Sequence, residues 1–261
     1  MKRQKLIVPI SVITRYWRFA ALVILFAGSL GGILSLDAVA QDADYHLFAD
    51  TREFLLIPHF FDVVSNLPFL VVGAMGLRFC LNAKRGETAG GWVVLFVGIS
   101  LVSIGSSYYH WNPNNDSLLW DRLPMTIGFM GLFVALIDEY IGKRIALLLI
   151  APAITLGLAS VLYWYWGDDL RLYFWVQLLP LLTIPAVMIL FRSNYTHQWL
   201  LFIALFWYVL AKLAEFYDNP IFLCANGLVS GHTLKHLMAA TSCYCILIML
   251  QRRGRRNKGL R

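Results

Sequence analysis

Long apolar runs dominate this chain and leave it few folds to choose from. Eight stretches of about 20 residues, at about 17–36, 58–80, 91–110, 118–137, 144–165, 172–191, 198–217 and 231–250, carry few charges. About 20 apolar residues is what a helix needs to cross the roughly 30 Å hydrocarbon core of a bilayer. Within that core only helices and closed barrels satisfy every backbone N–H and C=O, and unbroken runs of this length select helices. Composition agrees, since 59% of the 261 residues are hydrophobic and only 14% are charged, against about 25% charged in a typical soluble domain. The expected fold is all-α, a polytopic membrane helix bundle with a seven-helix core and one additional N-terminal helix.

A net charge of +7 would suggest nucleic acid in a soluble protein, but here its placement decides its meaning. Basic residues gather at the two ends: Lys2, Arg3, Lys5, Arg15 and Arg18, then Arg252, Arg253, Arg255, Arg256, Lys258 and Arg261. No soluble segment is long enough to build a basic face, so no nucleic-acid partner is expected. The connections alternate in sign. Lys84, Arg85, Lys143, Arg144 and Arg192 share one side with the termini; Asp37, Asp42, Asp44, Asp50, Glu53, Asp116, Asp168, Asp169 and Asp218 share the other. The positive-inside rule then puts both termini in the cytoplasm and the acidic loops outside. Trp111, Trp164, Trp166 and Tyr217 at the outer ends, with Trp17, Trp92 and Trp199 at the inner ends, are expected to form interfacial belts. Cys80, Cys224, Cys243 and Cys245 form no CxxC and suggest no disulfide framework.

Ala38-Val39-Ala40 before Gln41 resembles a secretory cleavage pattern, yet the preceding apolar run is long for a signal, so an uncleaved anchor is expected. The same pattern and the basic residues before the first span point to a bacterial inner membrane. The chain divides into residues 1–57 (basic start, first anchor, acidic outer segment), 58–250 (seven-helix core) and 251–261 (basic tail).

Ionisable side chains inside a membrane are costly and mark functional sites. His110 closes the third span, Asp121 opens the fourth, and His232 and His236 open the eighth, all at outer ends. His232 and His236 are i,i+4 and share one helix face, the geometry by which two imidazoles share one compact ion. A third imidazole from another helix completes three protein ligands and leaves an open fourth position, the usual layout of a catalytic zinc site. Asp121 is expected to shuttle a proton. Ser106, one turn before His110, is placed to donate to a developing oxyanion. Pro124 cannot donate to the Trp120 carbonyl and loosens the helix beside Asp121.

Ser106-Ser107-Tyr108-Tyr109-His110, Asp121-Arg122-Leu123-Pro124-Met125 and His232-Thr233-Leu234-Lys235-His236 resemble the S-x3-H, D-x-L-P-M and H-x3-H motifs of the alkaline ceramidases, seven-span zinc amidases of the CREST superfamily. Ser65-Asn66 with Phe69 resembles that family's S-N-x-x-F stretch. The likeness runs over about residues 58–250. It implies His110, His232 and His236 as zinc ligands, Asp121 as acid/base and Ser106 as substrate or oxyanion contact. It also implies a membrane lipid substrate, ceramide or another N-acyl lipid, and no obligate protein partner. Two departures stand out. The N-terminal span is additional, and His59 stands where eukaryotic members carry a calcium-binding acid. Asp42, Asp44, Asp50 and Glu53 could bind Ca2+, but they do not reproduce the family's ligand pattern.

Bland readings compete at each residue. Asp121 could pair with Arg122 or Lys235, Lys212 and Glu215 suit an intrahelical ion pair, Ser65 and Asn66 could be interhelical packing groups, and Lys235 is expected to snorkel to the interface. A rival function is a receptor of the adiponectin and progestin receptor group with a structural zinc site; short inner loops leave it little to engage a partner. A haem carrier is a third reading, and an i,i+4 pair on one helix cannot supply both axial ligands of one haem.

Overall fold

The computed structural model describes residues 10–83 and 90–256. Lys2, Arg3, Lys5, Lys84, Arg85, Lys258 and Arg261 lie outside them. The chain runs α1 (Ile10–Leu34), α2 (Phe60–Val64), α3 (Leu67–Asn82), α4 (Gly90–Trp111), α5 (Asn115–Tyr140), α6 (Lys143–Gly167), α7 (Arg171–Leu190), α8 (Leu200–Phe216), α9 (Asp218–Cys224) and α10 (Gly231–Arg252). Among the described residues, seven helical segments, one of them α2 and α3 together, are long and apolar enough to cross a membrane. The run expected at 198–217 is α8, which turns by 82° into α9. The chain is an all-α, multi-pass membrane protein.

The most extensive helix–helix contact among the described residues joins α4 to α5. Side chains at Gly98 and Gly105 would start 2.4 Å from the Gly128 backbone nitrogen and 2.1 Å from the Trp120 carbonyl oxygen, so the two backbones touch. Small residues give membrane helices this approach, because lipid offers no hydrophobic drive for looser packing. The Trp120 carbonyl, which Pro124 cannot serve with an N–H, lies against Gly105. Between the helices the chain turns in three residues. Asn114 then caps α5, accepting from the Ser117 N–H at 3.0 Å while the Ser117 hydroxyl accepts from the Asn114 N–H at 3.1 Å. This tight corner brings the end of α4, with His110, beside the start of α5, with Asp121.

Gly98→Leu should therefore cost more than the about 1–3 kcal/mol usual for overpacking, since its neighbour is backbone and cannot give way. Gly128→Ala is the control, because its new methyl would lie 3.9 Å from the nearest atom. Thermal melts in detergent should show a large drop for the first and little change for the second.

At the end of the bundle that carries His110, the segment between α1 and α2 folds back over the helices. The Val39 carbonyl accepts from the Leu170 N–H at 2.8 Å, the Gln41 N–H donates to Asp168 at 2.9 Å, and the Ala49 N–H donates to Asp218 at 3.0 Å. Arg171 fastens the end of α1 by donating to the Leu34 and Leu36 carbonyls at 3.1 and 2.6 Å. It also hydrogen-bonds Asp169, whose carboxyl it thereby lowers to about 2. The pair stays ionised at any ordinary pH.

Two tryptophans depart from the expected belts. Trp17, Trp111, Trp166, Trp199 and Tyr217 are exposed, but Trp92 and Trp164 are buried. Each has an inward partner: the Trp92 indole N–H donates to Glu139 at 2.9 Å, and Trp164 lies under the Arg122 guanidinium.

Candidate metal centre

His110 sits on the last turn of α4, while His232 and His236 occupy successive turns at the start of α10. The Ser230 hydroxyl caps α10 by accepting from the Thr233 N–H at 2.9 Å. Gly231 lets that end press into the α8–α9 corner, where a side chain would start 2.2 Å from the Ala214 carbonyl oxygen. The imidazole centroids then lie 4.7 Å (His110–His232), 4.9 Å (His110–His236) and 5.0 Å (His232–His236) apart. One ligand atom from each lies within 4.8 Å of the other two.

All three rings are buried. Neither ring nitrogen of His110 has a hydrogen-bond partner, nor does Nε2 of His236. A buried polar atom left unpaired costs about 1–3 kcal/mol, and a shared cation between the three imidazoles would give one nitrogen of His110 and Nε2 of His236 the partner they lack. Neutral imidazoles suit zinc, so the donor set fits the metal that the motifs imply.

The trio is held from behind. His236 Nδ1 lies 2.7 Å from the Ser65 hydroxyl, which is also 3.1 Å from the Asp62 carbonyl oxygen. With Nδ1–H donating to Ser65 and Ser65 donating to Asp62, the lone pair of Nε2 faces the other imidazoles. Such partners fix the tautomer and orientation of a metal-binding histidine. The Asp62 carboxylate accepts from Thr233 at 2.7 Å and Ser230 at 3.3 Å, tying α2 to the start of α10. Asp218 accepts the His232 N–H at 2.7 Å on one oxygen and the Ala49 N–H on the other. Phe48, from the segment between α1 and α2, covers the group, its ring 4.7 Å from His110 and 4.6 Å from His232. Ser65→Ala should weaken zinc affinity by about 10–100-fold, measured by competition with a chelating dye, and Ser65→Thr should recover most of it.

Ser106 and Asp121 lie beside one another across the α4–α5 corner. Both line, with His236, a cavity of about 460 Å³. Asp121 makes no ion pair among the described residues, so neither Arg122 nor Lys235 neutralises it by contact. Lys235 does not snorkel. Its ammonium donates to Glu215 at 2.8 Å and lies 3.1 Å from His232 Nε2, because α8 offers a carboxylate nearer than the interface. Glu215 also pairs with Lys212 and accepts from the Tyr45 hydroxyl at 3.3 Å.

The outer acids do not gather. Asp42 caps the turn at Ala43–His46, and Asp50 is held by Arg52 at 2.8 and 2.6 Å. Burial raises the Asp50 carboxyl, but the hydrogen bonds and charge of Arg52 outweigh it and hold the group below its ordinary range. Among the described residues no trio of carboxylates meets to hold a second ion. Sequence reasoning left Ser65 undecided and did not single out Phe48 or Asp218 for the site. Asp218, an acid where a span ends, was the one signal within reach.

No curated protein matches the chain. A family model described as Ceramidase matches residues 54–258. That stretch contains His110, His232, His236, Ser106, Asp121 and the Ser65 that orients His236, and on the strength of that match the chain belongs to the ceramidase family.

Proposed function

We propose that this hydrolase is an integral-membrane zinc amidase that cleaves the N-acyl bond of a ceramide-like lipid, giving a fatty acid and a long-chain amine. One observation carries the reading: the buried imidazole trio adjoins a cavity that changes from polar to apolar. Ser106, Asp121 and His236 line its polar end. Phe69, Val102, Met125, Tyr208 and Ala239 are shared with a second, apolar cavity of about 120 Å³ that continues past Leu95, Phe129 and Ile246. An acyl chain suits the apolar end, which leaves its amide beside Asp121.

His110, His232 and His236 would hold the zinc, which would supply Lewis acidity toward the amide carbonyl and lower the pKa of a water toward about 7. The Asp121 carboxylate takes the proton from the attacking water and returns it to the leaving nitrogen as the C–N bond breaks. Ser106, resting against Asp121, turns its hydroxyl to the carbonyl oxygen as charge develops there. Phe48 and the folded-back outer segment keep bulk water from the imidazoles. The alternation of basic and acidic connections supports both termini in the cytoplasm and a centre opening toward the outer leaflet.

The test is fatty-acid release by purified protein from paired N-acyl amides and O-acyl esters of the same chain length. Release from the amides supports the proposal. Release from esters alone would contradict it.

A further inference from the structure

Three cations line the large cavity among the described residues, and two of them are accounted for. Lys212 and Lys235 both pair with Glu215. Arg122 differs. It is 3% exposed, yet among the described residues no carboxylate lies within ion-pair distance of it. Its guanidinium is stacked in an aromatic box, 4.0 Å from the ring of Trp164, 4.8 Å from Tyr173 and 5.5 Å from Tyr45.

Stacking engages the faces of a guanidinium and leaves its N–H edges free for in-plane hydrogen bonds. One edge is used, with Nη2 donating to the Gln41 side chain at 2.7 Å. Nη1 is buried and has no hydrogen-bond partner among the described residues. A cation removed from water without an anion is costly, and a half-used guanidinium fork matches a carboxylate or phosphate in shape as well as charge. The acids that share the cavity do not touch Arg122: Glu215 pairs with the lysines, Asp42 accepts the Asp44 N–H, and Asp121 acts on Arg122 only through longer-range attraction, with no ion-pair contact.

Position along α5 says which part of a ligand would reach Arg122. Asp121 and Arg122 sit at the outer end of the helix, Met125 lines both cavities, and Gly128, Phe129 and Leu132 line the apolar one. From residue 122 to 132 the helix rises about 15 Å. An acyl chain lying along 125–132 leaves the far side of the amide pointing to Arg122.

We propose that Arg122 recognises an oxyanion, a carboxylate or a phosphate, on the amine half of the substrate, so that the preferred lipid is an acidic N-acyl amide rather than neutral ceramide. This rests on the amide-hydrolase reading above and departs from it in the amine half, which carries the oxyanion.

The test gives purified protein three lipids of one acyl length: an N-acyl glycine, a ceramide 1-phosphate and a ceramide. One acidic lipid should exceed ceramide in kcat/KM by at least about tenfold, and which one does so tells carboxylate from phosphate. Arg122→Gln should lower that preference by roughly 10–100-fold, the worth of hydrogen bonds to a charged group, chiefly through KM. Arg122→Lys keeps a cation but loses the fork, and should lose most of the preference too; it carries the test if Arg122→Gln does not fold. A wild type that prefers ceramide, with the ratio unchanged in the variants, overturns the proposal and leaves the hydrolase standing. If no lipid is cleaved, the hydrolase reading fails and binding decides the anion site. Dodecyl phosphate should then raise the melting temperature of wild type but not of Arg122→Gln, while dodecyl maltoside should not distinguish them; equal shifts with dodecyl phosphate overturn the site.

Discussion

Alanine at His110, His232 or His236 should remove the metal and lower fatty-acid release by at least roughly a thousandfold. The imidazoles lie within 5.0 Å of one another by centroid, and the group they form contains three residues. Losing one leaves two neutral donors for a cation in a buried site. Lewis-acid assistance is worth several kcal/mol, and about 1.36 kcal/mol is tenfold in rate, which sets the scale of the loss. His110→Ala is the cleanest of the three. Neither of its ring nitrogens bonds to protein, whereas His236→Ala also breaks the contact with Ser65 and His232→Ala the contact with Lys235. Helical content by circular dichroism should stay at the wild-type level in His110→Ala while metal and activity vanish.

Asp121→Asn should give the complementary result, a fall in kcat of about 10²–10⁴-fold with metal content unchanged. The substitution preserves shape and the contact with Ser106 but removes the capacity to accept and return a proton. Asp121 stands outside the imidazole group, so zinc should remain at one equivalent per chain. A variant that lost zinc along with activity would make Asp121 a ligand instead, and the division of labour proposed here would be wrong.

The readable parts of this molecule are those where one residue carries the signal by itself. An imidazole or a carboxylate in a 20-residue apolar run is expensive wherever it points, so His110, Asp121, His232 and His236 stood out before any neighbour was known. The spans were legible for the same reason, including α8, although its 82° turn into α9 was not. That corner falls just before Asp218-Asn219-Pro220, and Pro in a first helical turn sets a new helix start without fixing its direction.

Features that depend on a distant partner were hidden. Lys235 would have snorkelled had α8 not presented Glu215, and Ser65 became a support only because α10 sets His236 against it across 171 positions of sequence. Trp92 and Trp164 look like belt residues from their place at helix ends; Glu139 and Arg122 draw them inward. Phe48 belongs to an outer segment with no helical or strand period, so nothing in its spacing announced that it covers the imidazoles.

The most direct test of the central claim is elemental analysis of detergent-purified protein that has never met a chelator, for wild type and His110→Ala. About one zinc per wild-type chain and almost none in the variant is the expected result. Folded wild-type protein without zinc, or equal zinc in both proteins, would contradict the account.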